Sequence, residues 1–284
     1  MCLHLSYDKM INLNAMKKIL FLASALLALS FSACNDSKDE EFMELFTRVD
    51  YGEDFTSSIC FDLEAPADRY RYPVLPGCAE WLDLHNLGMD AVLKALQVPS
   101  AEIEKMTCEG LLQTYLDYPY IGDITLGSYT EYKTFLSCLG CDNEKRLFKQ
   151  MKKQGNMADC LLKYYKAFNC NTRCLNYSYV WRVLNYFCSL DEFNKDLSSS
   201  QKKELVRVAF EKMELFEKTT GWECNTAPLF LMARTMMNDG YKPFVNKVKS
   251  DENLYIFVKD GWDDINLYQT RVIGFAKEYC GLSK

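Results

Sequence analysis

Cys34 closes a stretch whose residue types belong together chemically. Met16-Lys17-Lys18 precede residues 19–29, an apolar run broken only by Ser24, and the small residues Ser32 and Ala33 stand directly before the cysteine. Lys17 and Lys18 hold the front end on the cytoplasmic side of a membrane, while the apolar run can enter a translocation channel as a helix. That run is too short to cross about 30 Å of hydrocarbon as a lasting anchor, so it reads as removable. Ser32 and Ala33 offer a peptidase a narrow extended strip beside a thiol.

Together these residues resemble a bacterial lipobox. The resemblance implies cleavage before Cys34 and a new N-terminal cysteine that carries lipid and fixes the rest to a membrane surface. One acyl chain binds marginally, at about 0.8 kcal/mol per buried methylene, whereas the two or three chains of such a cysteine make release negligible. Residues 1–15 hold His4, Asp8 and Asn12 and add nothing to a signal of this kind, so the natural start is expected at Met16. Asn35-Asp36-Ser37-Lys38-Asp39-Glu40-Glu41 is acidic and without apolar residues, the composition of a solvated tether. It also resembles the acidic export signal of Bacteroidota surface lipoproteins, which implies an outer-membrane lipid anchor and a body exposed at the cell surface; the periplasmic face is the other placement. The expected domains are 1–33 as signal, 34–50 as lipidated cysteine and tether, and 51–284 as one helical domain.

Other residues could do chemistry only in company. His85 is the one histidine after the signal, which excludes a two-histidine metal site and leaves a surface or cap role as the expectation. Cys138-Leu139-Gly140-Cys141 has the spacing of half a zinc site, and Cys170 with Cys174 could supply the other half. Unequal spacing and helical flanks argue against zinc, and a motif that closes a helix is no thioredoxin motif. No metal or cofactor is expected. Lys145, Arg146, Lys149, Lys152 and Lys153 surround Leu147, Phe148 and Met151; they could meet anionic headgroups or glycan acids but fit a solvated helix face better. Tyr115, Asp117, Tyr118, Tyr120 and Asp123 have the composition of a sugar-binding surface, although aromatics are 14% of the chain and most must form its core.

Removing residues 1–34 leaves 30 basic and 38 acidic residues, a formal charge of −8. Net repulsion from polyanions makes nucleic acid an unexpected partner. Eleven cysteines follow Cys34, an odd number for an exported chain, so at least one stays free or pairs between molecules. Cys160 and Cys188 fall among apolar helix residues and read as small buried hydrophobes. Roughly 250 residues suffice for one large core.

The elements that must position these groups are mostly helices. Ile59, Phe61 and Leu63 alternate with polar neighbours as in a short strand, and Pro66, Pro73 and Pro76 keep the chain extended. Met89, Val92, Leu93 and Leu96 make a short helical face stopped by Pro99; Leu111, Leu112, Tyr115 and Leu116 make another stopped by Pro119. Ser128 and Glu131 resemble a capping box for a helix to Leu139. Met157, Leu161, Tyr165 and Phe168 share a face that Asn156 can cap, as do Leu205, Ala209, Met213 and Phe216 between Ser198 and Gly221; both read as outer helices. Residues 175–190 are apolar on all sides and belong in the centre. Thr226 and Pro228 open a Met-rich helix ended by Gly240, and Ile265, Tyr268, Val272, Phe275 and Tyr279 mark the last. The fold class is all-α: about ten helices in antiparallel hairpins, a bundle or irregular α-α layer, with a short extended N-terminal segment.

Tyr72-Pro73-Val74-Leu75-Pro76-Gly77-Cys78-Ala79-Glu80-Trp81, with Leu93 to Pro99, Asp117-Tyr118-Pro119 and Gly122-Asp123-Ile124, resembles an uncharacterised family of exported Bacteroidota proteins over residues 70–168. Members usually carry a hydroxyl residue where this chain has Cys78. The resemblance implies export and a helical fold and brings no activity. Physically, Pro73, Pro76 and Gly77 shape a turn that lets Trp81 insert into the first helical layer. Two functions remain: a non-catalytic surface lipoprotein that binds or assembles with a protein or glycan, and a glycan- or cell-wall-directed hydrolase using Asp or Glu pairs. The first is expected.

Overall fold

The computed structural model describes residues 57–76, 78–119, 121, 143–170, 177–220, 226–261 and 265–282. They belong to the compact unit Tyr51–Lys284 and are all-α. Cys34, the capping box at Ser128 and the pair Cys138 and Cys141 lie outside the described residues.

A single 3-10 turn, Ser57–Cys60, begins the described chain. The short strand expected around residues 59–63 is reduced to one antiparallel bridge between Phe61 and Phe168. Asp62 N–H donates to the Ala167 carbonyl at 2.8 Å and Asn169 N–H to the Cys60 carbonyl at 2.8 Å. Three alternating residues with no partner strand among the described residues cannot extend a ladder, so the segment instead pins itself to a helix end.

Helices α1 (Ala79–Asn86) and α2 (Met89–Ala95) pack on one another. The short α3 (Ser100–Ile103) follows Pro99, and α4 (Cys108–Leu116) is buried from its first turn to its last. Thr107 caps α4 by accepting from Gly110 N–H. Next come α5 (Asn143–Gln154) and α6 (Met157–Ala167). The turn between them passes through Gly155 at φ 75°, a left-handed conformation that a side chain would strain. Asn156 occupies the N-cap of α6 but makes no side-chain cap bond, contrary to the capping expected of it.

The second half is α7 (Tyr177–Ser189), α8 (Asp191–Asn194), α9 (Ser199–Thr220), α10 (Thr226–Asn238), α11 (Lys242–Lys249), α12 (Glu252–Asp260) and α13 (Ile265–Cys280). A capping box starts α9: Ser198 N–H donates to Gln201 Oε1 at 2.9 Å and Gln201 N–H to Ser198 Oγ at 3.3 Å. Helix α10 is the hub, lying against α7, α9, α13, α11 and α12. Short links between neighbours that pack along their length force hairpins, as expected. Trp181 sits fully buried on α7 as the sequence required, stacked on Phe168 at 4.8 Å and on Phe216 at 6.3 Å. Those two contacts join the end of α6 to α7 and α9, and each aromatic pair adds about 0.5–1.5 kcal/mol beyond its buried area.

The chain ahead of α1 is fastened to α4 from outside its cap. Asp68 Oδ2 accepts from Thr107 N–H at 2.5 Å, placing a carboxylate at the positive end of α4. Position 110 must be glycine for this to happen, because a Cβ there would lie 2.6 Å from Asp68 Oδ1. Gly110→Ala is therefore expected to destabilise the fold by about 1 kcal/mol, although alanine is the better helix former. In an Asp68→Ala background the same change should turn neutral or stabilising. Urea denaturation of the four proteins measures the cycle; equal effects in both backgrounds would refute the steric link.

Candidate functional site

Asp117 ends α4 and is the described carboxylate most withdrawn from water, at 7% exposure. Its Oδ1 accepts from Ser57 N–H at 2.7 Å, Ser57 Oγ at 2.7 Å and Gln113 Nε2 at 2.9 Å. Gln113 Nε2 also reaches Ser57 Oγ at 2.7 Å, and Arg69 Nε lies 3.5 Å from Oδ2. Burial raises the carboxyl above its ordinary range, and the donors from Ser57 and Gln113 and the Arg69 charge pull it back only in part. Tyr115 and Tyr118 on either side are also buried. The sugar-binding surface imagined at Tyr115, Asp117 and Tyr118 is thus an interior, and its acid holds the chain together; Tyr120 and Asp123 lie outside the described residues. Tyr72 packs on Tyr118 with ring centroids 5.8 Å apart and donates to the Thr114 carbonyl at 3.1 Å, so the two conspicuous tyrosine-proline stretches meet.

An open depression of about 550 Å³ is lined by Lys152, Asp191, Glu192, Lys195 and Asp196. Asp191 there is engaged by Arg234, and Asn238 Nδ2 donates to it at 3.2 Å. Mixed charges at an open surface stay hydrated, and an acid already shared by two donors is a poor general base. Among the described residues no group of three or more His, Cys, Asp or Glu is arranged to hold a metal ion.

The described surface with most unspent apolar area is on α1 and α2. Helix α1 buries no residue; Leu82 is 66% exposed, Leu87 76% and Met89 49%. Trp81 is half-buried against the core rather than inserted in it, with its ring 4.8 Å from that of His85. His85 itself is exposed near the end of α1, its Nδ1 2.8 Å from the Trp81 carbonyl, in the surface role expected of it. Glu80, Asp83 and Asp90 lie exposed along the same two helices, as does Lys94. Exposed apolar side chains are ordinary singly and mark contact surfaces where they are contiguous.

The basic run falls on α5 as a solvated face, with Leu147 and Met151 buried beneath Lys145, Lys149, Lys152 and Lys153. Arg146 leaves that face to donate to Ser100 Oγ at 2.8 Å. Cys170 is buried, its Sγ 3.7 Å from the Lys212 carbonyl, and Cys108, Cys160 and Cys188 are buried cysteines outside any disulfide. Cys60 is disulfide-bonded. Comparison with protein-family models, curated proteins and solved structures finds no match to this chain.

Sequence reasoning missed Ser57, Arg69 and the exposure of Leu82 and Leu87. The last had a visible signal, because Trp81, Leu82, Leu84 and Leu87 spread around a helix instead of lining one side. Asp117→Ala should cost about 3 kcal/mol in urea denaturation, since it strands buried donors and a cation. Asp117→Asn tests the titration. The folded carboxyl holds its proton to higher pH than the unfolded one, so its contribution is full below about pH 4 and is lost as pH rises through the raised folded value. Glu204, held low by Arg207, and Asp251, held low by the Leu254 amide, pull the whole curve the other way. The wild-type stability minus that of Asp117→Asn should therefore fall as pH rises; a flat or rising difference would refute the assignment.

Proposed function

We propose that the chain is a lipid-anchored module, fixed to a membrane through an acylated Cys34, that works by binding or assembly rather than by catalysis. The observation that carries the anchoring is residues 16–34: paired lysines, a short apolar run, small residues and then the cysteine. Cys60 supports it, because a disulfide persists outside the reducing cytosol. Among the described residues no helix is long and apolar enough to cross a membrane. The acidic residues that follow Cys34 favour the outer membrane with the body facing outward.

Binding is supported by the exposed apolar side chains of α1 and α2. Leu82, Leu87 and Met89 suit a protein partner with its own apolar side chains, and Glu80, Asp83 and Asp90 favour basic groups around them over a polyanionic glycan or nucleic acid. A hydrolase would need two carboxyls facing across a cleft, about 5–9 Å apart. Asp117, the desolvated one, is committed to Ser57, Gln113 and Arg69.

In cells grown with labelled fatty acid, the wild-type protein is expected to incorporate label and sediment with membranes, while Cys34→Ser does neither. A Cys34→Ser protein found in membranes at wild-type level would overturn the anchor. Protease added to intact cells should cleave the body; full protection would place it on the inner face. Leu82→Glu with Leu87→Glu should leave stability within about 0.5 kcal/mol, both being exposed. The same pair should abolish cross-linking to a partner on intact cells, and unchanged cross-linking would remove α1 from the contact.

A further inference from the structure

Cys108 is the first residue of α4 and Cys160 lies in the first turn of α6, and both are buried and unbonded. The packing of these two helices fixes their relative register. Lys163 Nζ is 3.2 Å from Glu109 Oε1, and Tyr164 Oη donates to the Glu109 carbonyl at 3.4 Å. Position 109 thus faces 163 and 164, which brings 108 opposite 160, one turn earlier on α6. The Cys108 thiol is the neighbour that acts most strongly on the Cys160 thiol. Cys170 and Cys280 instead sit near backbone carbonyls, that of Lys212 at 3.7 Å and that of Lys203 at 3.4 Å. Two buried thiols facing one another on packed helices are placed to approach and bond.

We propose that Cys108 and Cys160 are an oxidation site and close a disulfide that ties α4 to α6. For the identity of its oxidant the proposal rests on the exported placement given above. The oxidant is a reactive protein disulfide of an oxidoreductase in that compartment, or glutathione disulfide in vitro. The thiolate of one cysteine attacks a sulfur of the oxidant's disulfide, which breaks and releases one thiolate; a mixed disulfide forms. The second cysteine then attacks as thiolate, the Cys108–Cys160 bond forms, and the remaining oxidant sulfur leaves. The pair gives up two electrons and two protons, and the oxidant gains both as two thiols.

Timing follows from the surroundings. The partner thiol and burial both hold the Cys160 proton far above the ordinary thiol range. A pair with almost no exposure and no ready thiolate does not exchange once the helices have closed. The bond therefore forms as α4 and α6 come together or when they part locally, and afterwards it is shielded from reductants. Position 109 is followed by the Asp117 cluster on the same short helix, so the bond would also hold the element that fastens the N-terminal segment.

The test refolds the reduced full-length chain in a glutathione and glutathione disulfide buffer, then quenches with alkylating reagent in denaturant. Peptide mass spectrometry should recover Cys108 and Cys160 in one cross-linked species that separates on reduction, with less than about a tenth of either thiol alkylated. Both thiols alkylated without reduction, or bonded to other cysteines, would overturn the proposal. Cys108→Ala with Cys160→Ala keeps Cys60 and serves as a second measurement. Reductant should lower the melting temperature of oxidised wild type by several degrees more than that of the double variant; equal shifts count against the bond. The same trapping in intact cells separates the two ideas. A cross-link formed in glutathione buffer and absent in cells would keep the pair and overturn the oxidising placement.

Discussion

A carboxylate taken almost wholly out of water at Asp117 is the constraint on which the first half of the molecule depends. Its donors cannot come from α4 alone, because a helix end offers carbonyls rather than N–H groups. Gln113 supplies one from the preceding turn, and Ser57 and Arg69 have to be brought from far back in the chain. The residues ahead of α1 are therefore drawn across α4, where Tyr70 N–H finds Thr114 Oγ1 at 2.9 Å and Asp68 caps the other end. An apolar residue at 117 could pack as well or better, but it would not dictate which segment lies over it. The buried charge exchanges stability for a defined path.

That path explains why some of the fold was legible and some was not. Helices α7, α9, α10 and α13 each carry a strong periodic or all-apolar pattern with recognisable ends, and local physics agrees with the packing. Asp117, Tyr115 and Tyr118 were open to two readings because composition does not tell inside from outside. Their spacing did: Leu111, Tyr115 and Tyr118 follow the buried side of α4 past its end. Ser57 and Arg69 were illegible for a different reason. Ser57 joins the site through hydrogen bonds and Arg69 through an ion pair, and no local pattern encodes a partner 48 or 60 residues away. The failed cap at Asn156 is similar, because a residue type that suits the N-cap does not ensure a bond there.

The two ends of the first half meet opposite fates. Residues 57–72 are held by a buried acid and by the bridge at Phe61, whereas α1 rests on α2 and touches the core through Trp81 and Leu84, with Leu82 left in water. Helix α1 has only these two apolar anchors and buries no residue fully. Leaving Leu82 and Leu87 exposed contributes little to folding, which is compatible with the binding role proposed for these two helices.

Confinement changes how strong that binding must be. A body held at a bilayer, as proposed through Cys34, meets partners on the same surface at a far higher local concentration than it would in solution. Three exposed apolar side chains would be a weak interface between freely diffusing proteins, well below the area of a stable complex. Between two membrane-held proteins a contact of that size can suffice, because part of the entropic cost of association is already met by the anchors. The small exposed surface and the lipid-bearing cysteine are for this reason one proposal: the modest size of the first is intelligible only with the second.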